Sequence, residues 1–84
     1  MYHYYLTFRS VTFAQRGEKL LGSHSIRCAL LRTPRWMEQQ GCGYALSIWT
    51  KDVYAVLTLL RENGIPVRRV YTQQGDGHLE ELIL

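Results

Sequence analysis

The sequence predicts an α+β fold in which two helices cover one face of an antiparallel sheet. The chain has 84 residues, 46% of them hydrophobic, a size and balance that suit one compact domain. Segments with strand-like alternation and segments with helical spacing follow one another in the order βαββαβ. Right-handed crossovers with a single helical layer then give a two-layer ferredoxin-like sandwich with sheet order 4-1-3-2.

A strand and then a helix are predicted in the first quarter of the chain. Residues 4–9 are rich in aromatic side chains and alternate in polarity, which is the pattern of a half-buried strand. Ser10 or Thr12 can cap the following helix, and Gly22 is its predicted stop. The helix places small and apolar residues on one face: Phe13, Gly17, Leu20 and Leu21.

The second and third strands are separated by a loop. Residues 26–31 predict a strand that ends before Pro34, because proline cannot donate to a sheet ladder. Residues 35–43 are expected to form a connection, and residues 44–49 alternate again as a third strand. Strands one and two run in the same direction, so we expect this loop at the end of the domain where the first strand finishes.

The second helix has the clearest pattern in the chain. Thr50 or Asp52 can cap it, and Gly64 closes it, with a proline just beyond. Its apolar stripe consists of Val53, Val56, Leu57 and Leu60. The fourth strand is predicted at residues 67–72, where two adjacent arginines suit an edge position.

Charge divides the chain into a basic domain and an acidic tail. Residues 1–74 carry a net charge of +6, and residues 75–84 carry −3. The tail fits either a short amphipathic helix or an extra strand. Eight of the ten cationic side chains are arginine, which grips oxyanions bidentately. An anionic partner and an ordinary solvated surface both account for this charge.

The sequence predicts neither export nor a membrane span. No window approaches about 18 apolar residues, and the amino terminus lacks the basic and apolar regions of a signal peptide. We therefore expect a cytoplasmic protein whose two cysteines, Cys28 and Cys42, are free thiols.

Cys42 is the residue that most strongly suggests chemistry. Gly41 and Gly43 flank it, leaving the sulfur accessible and letting backbone N–H groups turn toward an anion. An ordinary thiol is only about 3% thiolate at pH 7. Lowering its pKa to about 7 needs roughly 2 kcal/mol, and a guanidinium about 4 Å away gives on the order of 4 kcal/mol before screening. Alternatively, the glycines shape a turn that the cysteine merely fills.

Three arginines could stabilise that thiolate. The predicted topology brings Arg9, Arg32 and Arg35 to the end of the domain that carries the loop, so we assign them to thiolate stabilisation and anion binding. Thr33 and Pro34, together with the flanking glycines, are expected to shape the loop.

The other candidate sites are weaker. Two cysteines without C-x-x-C spacing and three scattered histidines make no zinc set, and Cys28 is interpreted as a buried, inert thiol. RNA-recognition domains share the βαββαβ order and stack bases on their third strand. Here, however, Tyr44 shares its face with Leu46 and Ile48, which reads as core.

Five segments together carry a family resemblance. They are Leu6-Thr-Phe-Arg-Ser10, Glu18-Lys-Leu-Leu21, Leu31-Arg-Thr-Pro-Arg35, Cys42-Gly-Tyr-Ala-Leu46 and Leu59-Leu-Arg-Glu-Asn-Gly-Ile65. They resemble the small bacterial family of selenium/sulfur carrier-like proteins over about residues 4–71. Where that family tends to have Ser-Ser before Cys-Gly and Glu-Ile after Thr-Pro-Arg, this chain has Gln40-Gly41 and Trp36-Met37.

The resemblance implies a carrier more than a turnover enzyme. Cys42 would hold sulfur as a persulfide, or selenium in the equivalent form, taking it from a donor of the cysteine desulfurase type and passing it to an acceptor protein. Such a cosubstrate needs no tightly bound cofactor and no metal. The alternative from a different class is a non-catalytic module for anion binding or dimerisation, since self-association would add buried area to a thin core.

Overall fold

The computed structural model describes residues 2–33, 43–73 and 77–82. Within them the chain forms two helices and one five-stranded sheet. In chain order the elements are β1 (Tyr2–Thr7), α1 (Val11–Ser23), β2 (Cys28–Arg32), β3 (Tyr44–Thr50), α2 (Val53–Glu62), β4 (Arg69–Gln73) and β5 (Leu79–Leu82).

The sheet has the strand order β2-β3-β1-β4-β5, and every neighbouring pair is antiparallel. Read from β4, the first four strands have the order 4-1-3-2, so the predicted ferredoxin-like arrangement is confirmed. Both crossovers, one through each helix, return to the same face of the sheet, and neither described helix lies on the opposite face.

The acidic tail supplies an extra strand, which settles the choice left by the sequence. β5 pairs with β4, with Leu82 opposite Val70. The edge position expected for the strand carrying Arg68 and Arg69 is therefore wrong, because β5 covers the outer side of β4. Arg69 forms an ion pair with Glu81 of β5 at 3.9 Å, so the charges of the tail complement those of the strand it covers.

Side-chain caps fix where both helices begin. The hydroxyl of Ser10 accepts a hydrogen bond from the N–H of Phe13 at 3.2 Å. The carboxylate of Asp52 accepts from the N–H groups of Tyr54 and Ala55 at 3.1 and 3.2 Å. Each cap satisfies backbone donors that have no partner inside the helix, so both starts follow from local sequence.

The helix ends follow the prediction only for α2. Gly64 just beyond α2 has φ +74°, the left-handed conformation that favours glycine. In contrast, α1 runs past Gly22 to Ser23, and the left-handed residue after it is Ser25, with φ 60°. The predicted stop was thus placed too early. Neither helix in the described part of the chain is long and apolar enough to cross a membrane.

The core lies between the two helices and one face of the sheet. Gly17 of α1 marks the closest approach, because a Cβ there would lie 3.2 Å from Leu46 Cδ1 and 3.5 Å from Leu60 Cδ2. Glycine therefore lets α1 pack directly on β3 and α2. The largest fully buried apolar side chains are Phe8, Leu6, Leu21, Leu46, Ile48, Leu60 and Val70.

Candidate functional site

Four strand ends meet at one end of the sheet, which we call the loop end. The final pairs of three ladders lie there: Thr7 with Ala45, Thr7 with Arg69, and Arg32 with Tyr44. The connection between β2 and β3 therefore leaves and re-enters the sheet beside the carboxyl end of β1, as the predicted topology required. The arginines next to these strand ends share one end of the molecule.

Half of the predicted site residues fall outside the part of the chain that the structure describes. They are Pro34, Arg35, Gly41 and Cys42. The reactivity of Cys42 and the role of Arg35 stay predictions.

Thr33 and Gly43 join the two described ends of the β2–β3 connection. The N–H of Thr33 donates to the carbonyl of Gly43 at 2.9 Å, and Gly43 has φ +82°, a conformation that other residues adopt only with strain. The hydrogen bond joins the residue after β2 to the residue before β3, and the loop-shaping role of both residues stays a prediction. The hydroxyl oxygen of Thr33 is buried and has no hydrogen-bond partner among the described residues.

Arg32 lies at the loop end, as predicted, at the last position of β2. Its side chain is exposed, and its guanidinium carbon lies 5.4 Å from the centroid of the Tyr44 ring. Tyr44 in turn packs against the core, so Arg32 lies on the helix side of the sheet. A cation–π contact of this kind contributes about 0.5–1 kcal/mol at an exposed site and positions the guanidinium.

Arg9 lines a pocket that the sequence did not reveal. The pocket has a volume of about 410 Å³, and its described lining residues are Arg9, Pro66, Val67 and Arg68. The backbone N–H of Arg68 donates to the carbonyl of Thr7 at 2.8 Å, which holds the start of β4 beside the end of β1. Two arginines more than fifty positions apart in sequence thus share one pocket.

Cys28 is less buried than the sequence suggested. It is the first residue of β2, half-buried, and its thiol donates to the backbone carbonyl of Glu18 at 3.7 Å. Burial, and secondarily the charge of Glu18, raise the pKa of the Cys28 thiol. The protonated thiol is a poor nucleophile, so this environment fits a structural cysteine.

A stacked cluster on the face of the sheet opposite α1 and α2 was also missed by the sequence analysis. The ring of His3 stacks on Trp49 with centroids 4.1 Å apart, and the guanidinium carbon of Arg27 lies 4.7 Å from the Trp49 centroid. His3 Nε2 lies 2.5 Å from the hydroxyl of Ser47, and its Nδ1 lies 2.6 Å from Gln73 Oε1. Alternation could place each residue on a face, but only the register shows that they meet.

The Tyr44 face of β3 is core, as predicted. Leu46 and Ile48 are fully buried, and Tyr44 packs against them as part of the core surroundings. On the opposite face, Ala45 and Ser47 are 0% and 2% exposed. The side chains of the third strand that RNA-recognition domains would use for stacking are therefore enclosed along most of its length.

The fold and the loop end together define a small α+β domain with arginines gathered where the β2–β3 connection meets the sheet. Within the described residues, no cluster of three or more His, Cys, Asp or Glu side chains could hold a metal ion. The model of the family described as "Putative Se/S carrier protein-like" matches residues 3–72. The chain belongs to this family, which confirms the resemblance found in its sequence. Comparison with curated proteins and with solved structures gives no match.

Proposed function

We propose that this protein carries sulfur or selenium on Cys42, as a persulfide or its selenium equivalent, and hands it to a partner protein. Membership of the Se/S carrier-like family supports a carrier role in general. The observation that carries the finer proposal is the arginine-rich loop end, where Arg9 and Arg32 flank the strand that begins after Cys42.

The first support comes from chain connectivity. Gly43, the covalent neighbour of Cys42, is hydrogen-bonded to Thr33 at 2.9 Å. Consecutive Cα atoms are about 3.8 Å apart across a trans peptide, and this connectivity supports a site for the proposed thiolate at the loop end. The hydroxyl of Thr33 is buried without a hydrogen-bond partner among the described residues, and we propose it as a donor to the thiolate.

The second support is the charge beside that position. The last pair of β1 with β3 is Thr7 with Ala45, so Arg9, two residues after β1, and Gly43, the residue before β3, follow the same end of the sheet. The side chain of Arg9 is exposed there, and neighbouring strands are only about 4.8 Å apart, which supports the proposed role of Arg9 beside the Cys42 thiolate. A guanidinium about 5 Å from the sulfur gives on the order of 3 kcal/mol before screening, comparable to the roughly 2 kcal/mol that brings a thiol pKa to 7.

The chemistry needs only thiols and persulfides. The Cys42 thiolate attacks the outer sulfur of a donor persulfide, a new S–S bond forms on Cys42, and the donor's S–S bond breaks with its electron pair leaving on the donor thiolate. An acceptor thiolate reverses the same step. Oxidation states balance without a cofactor, and a donor of the cysteine desulfurase type would supply the persulfide.

Mass analysis of the intact protein tests this function. After incubation with a cysteine desulfurase and cysteine, we expect an adduct of about 32 Da on the wild-type protein, the mass of one sulfur retained as a reversible cysteine cap. The matched variants are Cys42→Ser, which should lose the adduct, and Cys28→Ser, which should keep it. An adduct that survives Cys42→Ser, or none on the wild-type protein, would overturn the proposal.

A further inference from the structure

We propose that the pocket between β1 and β4 at the loop end binds a small organic anion, a carboxylate or a phosphate joined to an apolar group. The described lining residues of the pocket are Arg9, Pro66, Val67 and Arg68, and its volume is about 410 Å³. Binding there does not require the Cys42 thiol, so the inference stands apart from sulfur transfer.

The charge of the pocket favours an anion. Arg9 follows β1 and Arg68 precedes β4, and the hydrogen bond from the Arg68 N–H to the Thr7 carbonyl, at 2.8 Å, joins their two segments. The planar fork of arginine matches the two oxygens of a carboxylate or phosphate.

The apolar wall favours an organic ligand over a bare inorganic ion. Val67 is half-buried and packs against the core, which fixes that side of the pocket. The volume falls within the usual range of small-molecule sites and is more than ten times the roughly 30 Å³ that a water occupies in the liquid. Space is therefore left beside a bound oxyanion.

A second depression extends the apolar surface. It has a volume of about 120 Å³, shares Pro66 and Val67 with the first, and is lined further by Leu57 and Arg61. An apolar group attached to the anion can thus lie along the segment between α2 and β4 while its charged end reaches Arg9.

Titration of the full-length protein, followed by backbone amide NMR, tests the site with three probes. Phenyl phosphate and benzoate each combine an anion with an apolar ring, and inorganic phosphate lacks the ring. We expect saturable shifts at residues 9 and 66–68 with phenyl phosphate or benzoate, and the better of the two identifies the anion. Binding should be several-fold tighter than that of inorganic phosphate, because the ring adds apolar burial.

Charge-matched variants show whether the two arginines form the site. Arg9→Gln and Arg68→Gln should each weaken binding about tenfold, as expected for loss of a charge-assisted hydrogen bond. Arg68→Gln keeps the backbone N–H that bonds Thr7. Arg16→Gln, which removes an exposed arginine of α1 outside this pocket, should leave the affinity unchanged.

Three results would overturn the inference. They are no saturation by any probe up to about 10 mM, a loss of affinity in Arg16→Gln as large as that in Arg9→Gln, or equal affinity for inorganic and phenyl phosphate. Cys42→Ser should bind the better probe as the wild-type protein does. On the wild-type protein, anion binding without a sulfur adduct would reject the carrier function alone, and a sulfur adduct without anion binding would reject the pocket alone.

Discussion

Thr33 and Gly43 are joined by a backbone hydrogen bond of 2.9 Å that closes the connection between β2 and β3 where it meets the sheet. The bond links the residue after β2 to the residue before β3, one position beyond the pair Arg32–Tyr44. It extends the ladder to the position next to Cys42. The geometry of this bond depends on the left-handed backbone of Gly43.

Substitution of Gly43 should weaken the fold. Gly43→Ala places a Cβ on a residue with φ +82°, so we expect a loss of about 1 kcal/mol in the free energy of unfolding. Gly22→Ala is the control, since Gly22 lies inside α1 and an added Cβ meets nothing within 4 Å. That variant should gain about 0.5 kcal/mol. Urea denaturation measures both, and equal effects would contradict the role of the backbone conformation.

Arg9 should tune the reactivity of Cys42 if the proposed function holds. In a Cys28→Ser background, where Cys42 is the sole thiol, Arg9→Gln should raise the Cys42 pKa by about one unit, as expected for losing an opposite charge nearby. Alkylation rate against pH gives this value. Arg16→Gln should leave the profile in place, and high salt should shrink the difference between the variants. A profile unchanged by Arg9→Gln would remove this arginine from the site.

Cys28 should make stability fall at alkaline pH. Burial, and to a smaller extent the charge of Glu18, raise its pKa in the folded state, whereas the thiol of the unfolded chain has a pKa of about 8.5. Its contribution is therefore complete below the unfolded pKa and is lost as pH rises toward the folded pKa. Urea denaturation from pH 7 to 9.5 in a Cys42→Ser background should show a steeper decline with Cys28 than with Cys28→Ser. Parallel curves would contradict the shift.

The contact between His3 and Ser47 should be measurable as a coupling energy. His3 Nε2 and the hydroxyl oxygen of Ser47 lie 2.5 Å apart in a partly buried contact. We therefore expect a coupling free energy of about 1 kcal/mol. A double-mutant cycle with His3→Ala and Ser47→Ala gives this value. A second cycle that pairs His3→Ala with Ser23→Ala provides the comparison and should show no coupling, because the Ser23 hydroxyl donates to the Leu20 carbonyl at an exposed helix end. Additive losses for His3 and Ser47 would show that the contact contributes nothing beyond its separate side chains.

Local signals made most of the fold predictable. Ser10 and Asp52 are the caps that the structure uses, because a cap depends on residues only two or three positions away. The tail was ambiguous because Leu79 and Leu82 are three residues apart, a spacing that fits a helix face. Pairing with β4 decides for a strand, and pairing is a property of distant residues.

The candidate site was predictable only where topology alone placed it. The order βαββαβ was enough to bring Arg9 and Arg32 to one end. It could not show that Arg68 shares a pocket with Arg9, because that depends on how the segment after α2 turns into β4. Arg68 was instead interpreted from its position in a strand taken to be at the edge of the sheet, which overlooked the strand formed by the tail.

The carboxylate of Glu18 accepts a hydrogen bond from the N–H of Leu30 at 3.3 Å, on a strand that ends the sheet on that side. A second molecule adding a strand there would have to displace this carboxylate and bring its own backbone against a negative charge. The Glu18 side chain thus covers a backbone donor at this edge of the described sheet, which disfavours extension of the sheet by a strand of another molecule.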